Sequence, residues 1–274
     1  MKLGVDLGTT NCTVGRIRAD GKHAVVGPIP SIIAWSNGEM FFGDKARELL
    51  RSEDPTVHPV RDLKLALGVN DIRIGAHQHS STNLAAALLK DLFRRSGAEE
   101  VEELVIATPV KMPRSHRIAL QAAAEIAGVG KTRLVYEPTA ALIGASRFVE
   151  HGQRDLILVV DWGGGTLDAT VVQQIDGSFR ELISTGDCSS LGGTHIDTVL
   201  TDKVIQSSKI REKVERMDGG FERLKEEVEE LKIELNVLEF SFSNLFDEFW
   251  GKRFLSQNFF TTSVAAQSLR RISV

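Results

Sequence analysis

The rhythm of apolar and polar residues changes several times along this chain, and each change marks an element. Residues 2–8 form an apolar run that meets a polar turn at Asp6-Leu7-Gly8-Thr9-Thr10, the pattern of a buried strand. Alternating residues 13–18 and 22–26 then flank Asp20-Gly21, a dipeptide favoured in tight hairpin turns. Residues 27–103 are less regular, with turn signals at Pro28, Pro30, Ser36-Asn37-Gly38 and Asp54-Pro55 and a helical period near 45–51. Within that section 83–95 is an amphipathic helix, carrying Leu84, Leu88, Leu89, Leu92 and Phe93 on one side and Gly97 as its stop. The section as a whole reads as an insertion that builds a wall of a first lobe.

A strand at 103–107, a helix at 115–127 closed by Gly128, a strand at 133–136, a helix at 139–149 and a strand at 156–160 follow in alternation. Such a run predicts parallel strands covered by helices, with functional loops at the strand carboxyl ends. Thr108-Pro109, Tyr136-Glu137-Pro138-Thr139 and Asp161 all fall at those ends. Further on, Gly192-Gly193 opens a helix to about residue 207, where N–H groups can face an anion. A charged helix spans 221–235, with Leu224, Val228, Leu231 and Leu235 at helical spacing and glutamates opposite. The pattern by itself describes a solvated surface helix packed by one face.

One pattern occurs twice. An apolar strand, an Asp beside Gly and Thr, and then a hairpin describe both the amino terminus and the stretch beginning at 156, whose hairpin turn is Asp176-Gly177. The second copy reads Asp161-Trp162-Gly163-Gly164-Gly165-Thr166-Leu167-Asp168. Three glycines remove every Cβ from a turn and let backbone N–H groups approach an anion, while Asp161, Thr166 and Asp168 add the hard oxygens that magnesium prefers. A lone triple glycine is as well explained by a hairpin relieving sterics. Its duplication favours two oxygen-rich loops facing each other across a cleft.

Composition narrows the function classes. With 274 residues the chain exceeds the usual single domain, and 42% hydrophobic with 26% charged residues is the balance of a globular protein. A net charge of -4 leaves no electrostatic footprint for nucleic acid or an anionic membrane. No run is long enough for a membrane-spanning helix, and Met1-Lys2-Leu3-Gly4-Val5-Asp6 reaches an acidic residue too early for a secretory signal. Cys12 and Cys188 stand far apart and in no CxxC, so a cytoplasmic location is expected. His77 and His79 have no cysteine or carboxylate cluster to complete a metal site and read as an exposed loop. From residue 237 the composition shifts: Phe240, Phe242, Phe246, Phe249, Phe254, Phe259, Phe260 and Trp250 lie among serines and asparagines, as a divergent tail.

These motifs together resemble the nucleotide-binding domain of the DnaK-type, seventy-kilodalton heat-shock chaperones. The resemblance implies the α/β, two-lobed actin-like ATPase (ribonuclease H-like) fold. It rests on Val5 to Asn11, Asp161 to Asp168, Tyr136-Glu137-Pro138-Thr139-Ala140-Ala141, Ala107-Thr108-Pro109 with Arg117, Gly186-Asp187 through Gly192-Gly193, and the charged helix. It runs from residue 1 to about 236, with a first lobe over 1–150 (insertion about 27–103), a partial second lobe over 151–236 and the tail at 237–274.

The resemblance implies ATP or ADP with Mg2+ as cofactors. Asp6 and Asp161 would hold the metal, mostly through water. Gly8, Thr9, Thr10, Asn11, Gly163, Gly164, Gly165 and Thr166 would cradle the phosphates, with Gly192 and Gly193 near them. Lys64, Glu137, Thr166 and Asp168, with Asp161, would serve hydrolysis, and Glu229 and Lys232 would clasp adenosine. Pro109 and Arg117 match positions linked in the family to interdomain communication. J-domain proteins and nucleotide exchange factors are the implied partners.

The sequence departs from the pattern in two places. Asn236 stands where the family has serine, and no late Gly-Gly-x-x-Arg-Ile-Pro segment is present, so the second lobe is expected to be incomplete. No β-rich substrate domain follows either, and direct client-peptide binding is not expected. The competing readings are an inactive fragment or decoy that engages co-chaperones, and an actin-like filament protein.

Overall fold

The computed structural model describes residues 1–237 apart from 18–19, 53, 55, 146–153, 187–190, 208–209 and 217–219. The expected lobe boundary near 150, the end of the 139–149 helix, Cys188 and the tail from 238 lie outside the described residues. The chain divides into two compact units, one holding residues 1–195 and the other beginning at Ile196.

The first unit is organised by a five-stranded sheet in the order β10-β9-β1-β2-β3. Here β1 is Lys2–Leu7, β2 is Asn11–Ile17, β3 is His23–Pro30, β9 is Glu103–Thr108 and β10 is Lys131–Tyr136. The hairpin strands β1, β2 and β3 run antiparallel, whereas β9 and β10 run parallel to β1. Leu3, Val5 and Leu7 share one face and alternate with Gly4 and Asp6 on the other, the period of two that a strand imposes.

Helices α2 (Ser81–Ser96) and α3 (Arg114–Ile126) cover the first of these faces. Leu84, Leu88, Leu89 and Leu92 of α2 and Leu120, Ala123 and Ala124 of α3 join Leu3, Val5, Leu7, Leu104 and Ile106 in one buried core. The signals read for α2 hold. Ser80 caps its start by accepting from the Asn83 N–H, and Gly97 ends it in the left-handed region at φ 72°. Between these elements lie β4 (Ile33–Ser36), β5 (Glu39–Phe42), α1 (Asp44–Arg51), β6 (His58–Val60), β7 (Ile72–Ile74) and β8 (His77–His79). His77 and His79 therefore sit in a paired strand beside Trp35, their ring centroids 5.2 and 5.4 Å from its own, and not in a loop.

The last strand of the alternating run departs from expectation. Residues 156–160 belong to β11 (Arg154–Trp162), which starts a separate three-stranded antiparallel sheet with β12 (Leu167–Ile175) and β13 (Ser178–Ser184). The physical reason is the duplication: β11 pairs with its own hairpin as β1 does, which turns the run into the start of a second sheet. Helix α4 (Glu137–Ala145) begins at Glu137 itself and packs on this second sheet, Leu142 meeting Val159 and Val172.

The two copies correspond closely. Each second-to-third strand pair carries a register shift, between Cys12 and Val14 in the first and between Val171 and Val172 in the second. Asp176 and Gly177 both have positive φ, 49° and 79°, the geometry of a tight hairpin turn.

Helix α5 (Gly193–Ser207) opens at the expected double glycine and leads into the second unit, where α6 (Arg211–Arg216) and α7 (Gly220–Val237) follow. Arg223, Lys225, Glu226 and Glu229 of α7 are buried while Leu231 is exposed. Val228 is buried and Leu224 half-buried as the spacing predicts, so α7 buries charged side chains together with part of its apolar stripe.

Candidate functional site

The duplicated motif places an acidic residue at the same point of each hairpin. Asp6 pairs in register with Thr13 and Asp161 with Asp168, each two residues before the first glycine of its loop. Asp6 and Glu137 are buried. At the junction of β10 and α4, the carboxyl Oε1 of Glu137 accepts from Lys64 Nζ at 2.7 Å, an ion pair with both side chains largely enclosed. The Lys64 ammonium acts electrostatically on both Asp6 and Asp161. Thr166 Oγ1 donates to Asp168 Oδ2 at 3.1 Å.

The charge balance of this cluster is unfavourable as it stands. Burial pushes the Asp6 carboxyl up to about 6, Lys64 opposing and Glu137 adding to the rise. Burial likewise pushes Asp161 up to about 7, assisted by Glu137, Asp6 and Asp168 and opposed by Lys64. Burial would pull the Lys64 ammonium down, but the carboxylates of Glu137, Asp6 and Asp161 outweigh it and hold the pKa above its usual value. One ammonium thus faces several carboxylates, an environment completed by a hard divalent cation. Among the described residues no three His, Cys, Asp or Glu side chains group closely enough to ligate one ion directly. A cation fitting here would be reached by Asp6 and Asp161 through its water shell.

The glycine loops adjoin this cluster and meet each other. A Cβ on Gly164 would overlap Thr10 Oγ1, one on Gly165 would come within 2.5 Å of Thr9 Oγ1, and one on Gly192 would overlap the backbone of Gly164 and Gly165. Glycine is required at these positions because backbone and hydroxyls approach where a side chain would stand. Gly8 is likewise pressed against the Asn11 carbonyl, and Ser31 Oγ donates to the Gly8 carbonyl at 2.7 Å. The loop of the second copy is tied by Gly163 N–H to Thr166 O, and the start of α5 closes on it through Gly193 N–H to Gly163 O and Thr194 N–H to Gly164 O. Trp162 Nε1 also donates to Leu191 O at 2.7 Å.

Of the residues read from the sequence, Asp6, Lys64, Glu137, Asp161, Thr166 and Asp168 therefore converge with both loops and with Gly192 and Gly193. Glu229 and Lys232 belong to the second unit, where both point inward along α7. Lys232 Nζ there meets Asp197 Oδ1 at 2.6 Å, and Asp197 is buried. Burial raises the Asp197 carboxyl pKa, with Lys232 opposing and Glu229 adding to the rise. Sequence reading passed over Asp197 as a site residue. Its only signal was an acidic residue one turn into the helix after Gly192-Gly193.

The duplicated strand units, with two facing glycine loops around buried carboxylates, define the actin-like ATPase class of fold. A family model described as Hsp70 protein matches residues 60–247, more than half of the sequence, and the chain belongs to this family. Similar curated proteins include the chaperone protein DnaK of Nitrosopumilus maritimus, 30% identical over 254 residues that cover 86% of this chain and 39% of the relative. The DnaK of Mycoplasmoides gallisepticum is 30% identical over 86% of this chain and 42% of the relative. For Mycoplasmopsis synoviae DnaK the figures are 29%, 85% and 40%. The chain thus spans about 40% of the length of these relatives. Among the described residues no helix is long and apolar enough to cross a membrane.

Proposed function

We propose that this chain binds Mg2+-ATP and ADP and hydrolyses ATP slowly, as a DnaK-like nucleotide-binding module. The observation that carries this reading is the cluster of buried Asp6 and Glu137 and half-buried Asp161 coupled to Lys64, flanked by two loops whose glycines leave no room for a side chain. Such a cluster is costly without a cation, and such loops suit a polyphosphate.

Asp6 and Asp161 would hold Mg2+, which supplies charge neutralisation toward the phosphates. Thr9, Thr10 and the N–H groups of Gly164 and Gly165 would grip phosphate oxygens, on a loop held by the Gly163 N–H to Thr166 O bond. Lys64 fixes one carboxylate oxygen of Glu137, and the pair orients the attacking water toward the γ-phosphorus. Asp168, held by the Thr166 hydroxyl, would add negative charge beside Asp161 for the cation. Phosphoryl transfer leaves the protein mainly this positioning and charge stabilisation. Glu229 and Lys232 serve adenosine, with Asp197 fixing the lysine. J-domain and exchange-factor partners are proposed by family membership.

Titration calorimetry with Mg2+-ATP, with Asp161→Asn as the comparison, tests the binding. A folded chain that gives no heat overturns the proposal. A bound nucleotide turned over no faster by the native chain than by Asp161→Asn would reassign it to the inactive, partner-binding reading.

A further inference from the structure

The first turn of α4 carries Glu137, and the back of that turn is tied to the second sheet. Two positions along a helix rotate the chain by roughly 200°, so Thr139 stands on the side away from Glu137. Thr139 shares its face instead with Leu142, three positions on, which packs on Val159 and Val172. There Thr139 Oγ1 donates to Glu181 Oε1 of β13, 42 positions away along the chain. Both side chains are half-buried.

Glu181 occupies the place of an apolar residue in β13. Its register partner is Val172, which is fully buried and clusters with Leu142. Its neighbour on the same face is Phe179, two positions earlier, which packs on that cluster. An apolar side chain would seat there without a partner, whereas a carboxylate needs one. The register shift between Val171 and Val172 adjoins this pair, opposing Val171 to Ile183 and Val172 to Glu181 and passing over Leu182. Bulges of this kind re-aim a side chain.

Glu137 is thereby held from two sides. In front, its Oε1 accepts from Lys64 Nζ at 2.7 Å. Behind, Thr139 fastens the turn that carries it to β13. A local departure from the apolar pattern, matched by one specific partner, is the form that supporting residues of a site take.

We propose that Glu181 is a positioning residue: through Thr139 it sets the first turn of α4 and so holds the Glu137 carboxylate on Lys64. Its effect on turnover rests on the proposed ATP hydrolysis, whereas its effect on the Lys64–Glu137 pair does not.

The test compares Glu181→Leu, Glu181→Gln and Thr139→Val in the full chain. Glu181→Leu suits the apolar face and removes the acceptor, Glu181→Gln keeps an acceptor oxygen without the charge, and Thr139→Val replaces the donor by a methyl group. Urea denaturation establishes that each is folded. Expected for Glu181→Leu and Thr139→Val is a kcat lowered roughly tenfold or more with the Kd for ATP held within about twofold, since misplacing a positioned group costs rate and not ground-state binding. Glu181→Gln should stay near the native rate, and Glu181→Leu should lose nothing further in a Glu137→Gln background. The proposal is overturned by native turnover in Glu181→Leu, by a loss of affinity as large as the loss of rate, or by Glu181→Gln as slow as Glu181→Leu.

A second measurement holds whether or not the chain hydrolyses ATP. Urea midpoints of Lys64→Met, Glu137→Gln and the double variant give the coupling of that pair, in the native and the Glu181→Leu backgrounds. The coupling should fall to about half or less in the Glu181→Leu background. An unchanged coupling overturns the proposal. A reduced coupling in a chain that turns ATP over no faster than Asp161→Asn supports it and removes the hydrolysis reading alone.

Discussion

Replacing Asp161 with Asn should make the free protein more stable while removing its affinity for Mg2+-nucleotide. The Asp161 carboxyl rises from 3.8 to about 7, roughly three units. At ~1.4 kcal/mol per unit this is a cost of up to ~4 kcal/mol for holding the side chain ionised in the fold. Asp6 and Asp161 raise one another, so relief of one is shared with the other, and ~2 kcal/mol is the expected gain. In a chain of this size that is roughly 4–8 °C in Tm.

The pH dependence separates this cause from general packing. The folded pKa lies above the unfolded one, so the native chain binds the extra proton and loses stability as pH rises from about 4 through about 7. Asn cannot ionise, so its advantage should be absent near pH 4, grow across that window and level off above it. Chemical denaturation at pH 4, 5.5 and 8, paired with Mg2+-ATP calorimetry at pH 8, reads both effects. A variant less stable than the native chain at pH 8, or a gain that does not change with pH, would refute the reasoning.

Further outcomes follow from the same contacts. Lys64→Met leaves Glu137 enclosed without its ammonium and should cost about 3 kcal/mol in urea denaturation, while Lys64→Met combined with Glu137→Gln recovers part of that loss. Gly164→Ala drives a Cβ into Thr10 and should destabilise by about 1–3 kcal/mol and weaken ATP binding. Gly4→Ala, which meets nothing, should change stability by less than about 0.5 kcal/mol. Leu89→Ala, fully buried in α2, should cost ~2–5 kcal/mol by calorimetric melting with nucleotide affinity retained once folded. Lys232→Met should leave Asp197 buried and unpaired, lowering ATP affinity more than it lowers the affinity for inorganic triphosphate.

Much of this protein was legible because its strands and helices are specified locally. The alternation at Leu3, Val5 and Leu7, the leucine spacing and Gly97 of α2, and the duplicated turns at Asp20-Gly21 and Asp176-Gly177 each encode their element within a few residues. The glycine loops were legible for the same reason: a chain spends three glycines in a row where no Cβ fits. The allocation of β11 to a second sheet was legible only through the duplication, because by its own pattern an apolar strand reads the same whichever sheet it enters and the alternating run points to the first. The burial of Arg223, Lys225, Glu226 and Glu229 in α7 was not legible, since helical spacing records where leucines lie and not which charged side chains the rest of the fold encloses.

The sequence by itself determined the two motifs, their acids and their glycines, since those residues must sit on consecutive positions of one turn. Only the tertiary structure decided that Lys64 meets Glu137 and acts on Asp6 and Asp161, and that Asp197 holds Lys232. Those partners are separated by 73 residues in one case and 35 in the other. Their energies come from a shared buried environment, and no stretch of chain carries that information until the fold has removed the water.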